Sequence, residues 1–98
     1  MKVEQIVNYE ANKREAEQII NHILHHADLF EYRNRIKPTV FMSNDVLAKI
    51  AVYAREAVTY RIDKDFPHAE AIAVCGYDVN LTFGKNVLHI GYRILELR

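Results

Sequence analysis

Cys75-Gly76-Tyr77-Asp78-Val79-Asn80-Leu81-Thr82-Phe83-Gly84-Lys85-Asn86-Val87-Leu88-His89-Ile90-Gly91-Tyr92-Arg93-Ile94-Leu95 alternates apolar and polar residues in two runs separated by a turn. Tyr77, Val79, Leu81 and Phe83 alternate with Asp78, Asn80 and Thr82. Leu88, Ile90, Tyr92 and Ile94 alternate with His89, Gly91 and Arg93. Successive side chains of a strand point to opposite faces, so each run has one apolar and one mixed face. Phe83-Gly84-Lys85-Asn86 supplies the turn, with Gly84 and Asn86 as the residues that tolerate positive φ. The reading is a β-hairpin whose apolar face the rest of the chain covers.

Working backwards, Ala71-Ile72-Ala73-Val74-Cys75 is a continuous apolar run, the pattern of a strand buried on both faces. Gly76 breaks or bulges it before the hairpin. Arg61 to His68 forms a polar connection broken by Pro67. Upstream, Leu47, Ile50, Ala51, Ala54 and Val58 form a helical stripe, and the predicted helix runs from about Asp45 to Tyr60. Val46, Tyr53, Ala57 and Tyr60 widen this stripe beyond the ~100° of an ordinary surface helix, so the helix is expected to touch the sheet and a second body. Ser43-Asn44-Asp45 supplies capping oxygens for its N-terminus. Thr39-Val40-Phe41-Met42 reads as a short buried strand.

From about Glu10 to Ile36 the chain is rich in helix formers, with no Gly or Pro. Ala16, Ile19, Ile20, Ile23, Ala27 and Phe30 fall on one face, with Leu24 at its edge. Leu29 lies on the polar side, where it has no obvious intramolecular home. Lys37-Pro38 is expected to end the helix, because the residue before proline is pushed out of the α region. Residues 1–9 are a first helical turn or an arm. The expected fold is therefore a single α+β domain over residues 1–98. Two helices pack on a small, mostly antiparallel sheet that ends in the hairpin, in the order α-β-α-β-β-β.

A chain of 98 residues suits one domain, and 50% hydrophobic with 27% charged residues is the balance of a globular protein. Thirteen basic and thirteen acidic side chains cancel, which argues against nucleic acid as partner. It also weakens the self-repulsion that keeps proteins monomeric. Cys75 is the single cysteine, so no internal disulfide forms and a reducing cytoplasm is the expected setting. No run approaches the ~18 apolar residues of a membrane span, and Met1 to Gln5 lead into a polar stretch unlike a signal peptide.

Four constellations carry candidate chemistry. His22 and His26 are one helical turn apart and could share a metal ion, zinc being the natural choice, with His25 beside them. The simpler reading is a solvated helix face, and the ligand set is incomplete. Asp63, Asp65, His68 and Glu70 could hold a divalent ion, but the calcium-loop pattern is not met, and a solvated loop accounts for them. Cys75 follows an apolar run and reads as a small buried hydrophobe rather than a nucleophile. The mixed face of the hairpin, with Asp78, Asn80, Thr82, His89 and Arg93, is a wet sheet face or a binding face. Asn80, His89 and Arg93 are its candidate contacts. Neither a phosphate-cradling glycine pattern nor a serine-hydrolase elbow occurs.

Val40-Phe41-Met42-Ser43-Asn44 leading into a helix, followed by Cys75-Gly76-Tyr77-Asp78-Val79 and Leu88-His89-Ile90-Gly91-Tyr92, resembles small proteins of bacteriophage and prophage origin. The same residues resemble the strand–helix–hairpin part of the major capsid protein fold of tailed phages. The resemblance covers residues 39–92. It implies a non-enzymatic protein that acts by assembly or binding, in the host cytoplasm or a virion.

The expectation is thus a binding or assembly module that works through protein–protein contacts, as a homo-oligomer or with a protein partner. Leu29, Tyr53 and Tyr60 are the candidate interface residues, because aromatic anchors often carry interface energy. No complete catalytic set emerges, and the reading leans away from an enzyme. The alternatives are a metal-binding protein or metal-dependent enzyme using the helix histidines, and a nucleic-acid-binding module using Arg33, Arg35 and Lys37.

Overall fold

The computed structural model describes the backbone of residues 3–62, 70–91 and 93–96, and the side chains of residues 8–60 and 71–91. The Asp63, Asp65, His68 and Glu70 constellation lies outside the described side chains. Helix α1 spans Val3–Asn34, so residues 3–9 extend the helix instead of forming an arm. The predicted apolar stripe faces inward: Ala16, Ile19, Ile23 and Ala27 are buried, and Ile20 packs against them. The helix ends two residues before the predicted Ile36. Arg35 adopts φ 64° and its N–H bonds back to the Glu31 carbonyl at 2.8 Å. That is the left-handed cap usually given to glycine.

Strand β1 (Val40–Ser43) leads directly into α2 (Asn44–Tyr53). Helix α2 is shorter than the predicted span to Tyr60. Ala54 leaves the helix at φ −140°, ψ 50°, Arg55–Ala57 form a 3-10 turn, and Val58–Ile62 form β2. Two periods overlap here. Positions 50, 54 and 58 fit a helix stripe, while positions 58, 60 and 62 fit a strand, and no Gly or Pro marks the switch. The apolar excess read as a wide helix face is in part the alternation of β2.

Strands β3 (Glu70–Val74), β4 (Tyr77–Thr82), β5 (Val87–Ile90) and β6 (Arg93–Glu96) complete the described sheet. It has six strands in the order β2-β3-β4-β1-β5-β6. Among the described pairings only β1 with β4 is parallel. The fold is α+β with a mixed, mostly antiparallel sheet, and it contains more strands than the predicted order.

The hairpin reading of residues 77–94 needs correction in two places. First, β4 and β5 are not neighbours, because β1 lies between them. Phe41 pairs with Asn80 on one side and with His89 on the other. The 83–86 link therefore spans two strand spacings, roughly 9–10 Å. Second, Leu88 to Ile94 is not one strand. Gly91, at φ 61°, turns the chain after Ile90, which pairs with Arg93 of β6. Alternation identifies strands, but it does not name their neighbours.

The tight hairpin that does exist joins β3 to β4. Val74 pairs with Tyr77, and Cys75 and Gly76 between them have φ 53° and 82°. Two successive positive φ values are what a primed hairpin turn needs. The apparent break at Gly76 is this turn.

Both helices contribute to one core with a single sheet face. Val40, Met42, Val74, Tyr77, Val79, Leu88 and Ile90 meet Ile19, Ile23, Val46 and Ile50 there. The helices are tied to each other at the periphery. Lys49 and Glu15 form an ion pair at 2.6 Å, which is exposed and worth at most about 1 kcal/mol. The Asn12 amide donates to the Tyr53 hydroxyl at 3.1 Å. Tyr9 meets the Tyr53 ring edge-on at 5.5 Å between centroids.

Candidate interaction surfaces

One row of residues crosses the sheet on its helix-covered face: Ile90, Val40, Val79, Ile72 and Tyr60, each the register partner of the next. Ile90, Val40 and Val79 are buried, and Ile72 is half-covered. Tyr60, at the end of the row, is 61% exposed. Val58 of β2 still packs against the core, and cover is lost at Tyr60. An aromatic residue stands uncovered on the face that is apolar everywhere further in, and β2 has no described strand on its outer side. The sequence pattern selected Tyr60 but placed it on a helix. It lies instead on β2, the first strand of the sheet order.

The other two interface candidates are less open. Tyr53 is half-buried and engaged by Asn12 and Tyr9 of the same chain. Leu29 is also half-buried. Other large apolar side chains are exposed too, among them Tyr32, Ile36, Val52 and Phe83, which is ordinary for a small protein.

The opposite sheet face carries Asn80, exposed, and His89, half-buried, on either side of Phe41. These two candidates are brought together. Arg93 sits opposite Ile90 in register while His89 sits opposite Ile94, and the Arg93 side chain lies outside the described residues. The turn at Gly91 shifts the phase that a single uninterrupted strand would have kept.

On α1 the histidine rings do meet. His22 and His26 are near-parallel with centroids 6.2 Å apart, and His25 meets His26 edge-on at 5.2 Å. Among the described residues, no group of three or more His, Cys, Asp or Glu side chains is placed to hold a metal ion. Arg33, Arg35 and Lys37 are exposed around the end of α1.

Two polar clusters that pattern reading missed fix the ends of the central strands. Ser43 occupies the N-cap of α2 in extended conformation, yet its side chain does not cap the helix. Its buried oxygen accepts the Val87 N–H at 3.0 Å, while the Asp45 carboxylate accepts the Asn86 N–H at 3.0 Å. Hydrogen bonds from the Ser43 hydroxyl first, and from the Asn86 N–H next, hold the Asp45 carboxyl below its ordinary pKa. The predicted helix cap thus latches the start of β5 onto the end of β1. No periodicity signals it, since the partners lie more than forty residues apart.

At the other end, the Tyr77 hydroxyl donates to the Asp28 carboxylate at 3.1 Å, and the Lys37 ammonium lies 5.9 Å from the Tyr77 ring centroid. Burial first, then the bond to Asp28 and the negative field of Asp28 and Glu31, push the Tyr77 pKa up to about 12. Cys75, in the adjacent turn, is half-buried, and burial raises its thiol pKa. That is the opposite of what a nucleophile needs.

Among the described residues, no helix is long and apolar enough to cross a membrane. Compared with protein-family models, curated proteins and solved structures, the chain matches none.

Proposed function

We propose that the chain is a small, non-enzymatic binding or assembly module that acts by associating with further copies of itself. The observation that carries this reading is Tyr60, 61% exposed at the open end of a row whose other members are buried or half-covered. An uncovered aromatic anchor on a strand with no neighbour on its outer side among the described residues is a recognition surface of known chemistry. The low net charge leaves self-association unopposed.

Phage or prophage origin belongs to the same proposal. It rests on the resemblance of residues 39–92. The strand-into-helix part of that resemblance corresponds to β1 and α2, and its hairpin part is divided by β1.

Light scattering after gel filtration, run over a range of concentrations with and without chelator, tests the reading. The expected mass is a whole multiple of 11.4 kDa and is insensitive to chelator. A mass of one chain at every concentration rejects self-association. Dissociation by chelator transfers the role to the His22 and His26 pair.

A further inference from the structure

We propose that two copies of the chain pair through β2, antiparallel about a twofold axis at Tyr60, so that two six-stranded sheets become one. The proposal rests on the assembly reading above and names its contact. Strand β2 is Val58-Thr59-Tyr60-Arg61-Ile62. It lies at the sheet edge, is rich in β-branched and aromatic residues, and contains no proline. Edges are usually blunted by such a residue, by a bulge or by inward charge. Along its paired side the β2–β3 register runs without a bulge from Val58 to Ile62.

The sequence of β2 is complementary to itself in one register. Pairing centred on Tyr60 places Tyr60 opposite Tyr60 of the second copy, Val58 opposite Ile62, and Thr59 opposite Arg61. Every apolar position of the helix-side row then meets an apolar position, and every open-face position meets a polar one. Cross-strand pairs of this kind are the unit of sheet stabilisation. The neighbouring registers are worse. A shift of one residue in the pairing sets Tyr60 against Arg61 and mixes the two faces. A shift of two residues sets Arg61 against Arg61, or brings Glu56 from the 3-10 turn into the pairing. Only the register on Tyr60 uses all five residues of the strand. A twofold contact of this kind closes on itself, so it predicts a dimer and no larger species.

Thr59 provides the test, because it is exposed on the open face and its substitution leaves the core alone. Thr59→Arg places arginine opposite Arg61 twice across the axis, and the dimer is expected to weaken roughly 5- to 30-fold. Thr59→Glu places a carboxylate there and is expected to tighten it. The two variants should converge as salt is raised. Thr59→Arg combined with Arg61→Glu restores the attraction and the parent's affinity.

Sedimentation equilibrium of the full chain reads all four proteins, with circular dichroism confirming that each is folded. Opposite shifts for Arg and Glu, with rescue in the double variant, support the pairing. A parent oligomer whose mass ignores every Thr59 change overturns the β2 contact while leaving self-association standing. Masses that climb past two chains with concentration overturn the closed twofold in favour of a head-to-tail contact between different edges. A parent that stays a single chain throughout overturns both readings.

Discussion

The Phe30 ring of α1 lies directly over Gly91, in the space a Cβ on Gly91 would need. Gly91 also has φ 61°, and its N–H reaches the Thr39 carbonyl at 3.2 Å. One residue therefore turns β5 into β6, bonds to the segment before β1 and seats the C-terminal part of the long helix. Gly91→Ala should displace Phe30 and strain the turn. Overpacking costs about 1–3 kcal/mol and the left-handed conformation about 1–2 more. Thermal unfolding should show a fall of many degrees, whereas Gly76→Ala, where a Cβ meets nothing within 4 Å, should show only the conformational part.

The Ser43 latch predicts an acid-sensitive joint between β1 and β5. Ser43→Ala removes the acceptor for the Val87 N–H and the donor to Asp45, with an expected loss of about 1–3 kcal/mol for the orphaned group. The Asp45 pKa is lower folded than its ordinary 3.8. Its contribution is therefore complete above that value and is lost as pH falls through the lower folded value. Asp45→Asn should flatten the pH dependence of urea unfolding below about pH 4 and leave its slope near pH 7 unchanged.

At the alkaline end the sign is reversed. Tyr77 holds its proton to about pH 12 in the folded chain, so between the usual tyrosine value of about 10 and that point the folded state binds more protons than the unfolded one. Stability supplied by the Tyr77–Asp28 bond falls across this window as pH rises. Spectrophotometric titration at the tyrosinate band should show a late-ionising fraction that Tyr77→Phe removes. The same substitution should cost about 0.5–1.5 kcal/mol at neutral pH, the net worth of one hydrogen bond.

Arg35 closes α1 in a conformation that suits glycine, at φ 64°. Its side chain is exposed, so little packing is lost on replacing it. Arg35→Gly should stabilise the chain by about 0.5–1 kcal/mol, the relief of left-handed strain less the added freedom of the unfolded state. Chemical denaturation should show a higher midpoint at unchanged slope.

What was readable from the residues divides along a physical line. Local periodicity found α1, β1, the start of α2 and the alternating runs of β4 and β5, because each element buries one face against a common core. It failed where two periods shared the same residues, at Ala54 to Tyr60, and where neighbours had to be assigned, since Val40 pairs equally well with Val79 and Ile90. Histidine spacing on α1 is reflected in the near-parallel His22 and His26 rings, 6.2 Å apart between centroids. The register after Gly91 sets Arg93 opposite Ile90 and Ile94 opposite His89, which the alternation alone does not reveal. Tyr60 was selected for apolar excess, and only the sheet order reveals why that excess exists.

The two tyrosines once grouped on a single helix face should now separate in experiment. Tyr53 is held inside the monomer by the Asn12 amide and the Tyr9 ring. Tyr53→Ser should therefore loosen the contact between the helices and lower stability by about 1–2 kcal/mol, counting one hydrogen bond and one aromatic contact, with the solution mass unchanged above the dissociation range. Tyr60 makes no comparable claim on the fold, being 61% exposed on the outer strand. Tyr60→Ser should leave the monomer's unfolding free energy within about 0.5 kcal/mol, as for ordinary surface changes, while shifting the association equilibrium toward single chains. Denaturation measured at low concentration, beside mass measured at high concentration, resolves the two effects. A Tyr60→Ser protein that is destabilised but still associates as the parent does would assign Tyr60 to the monomer and remove it from the interface.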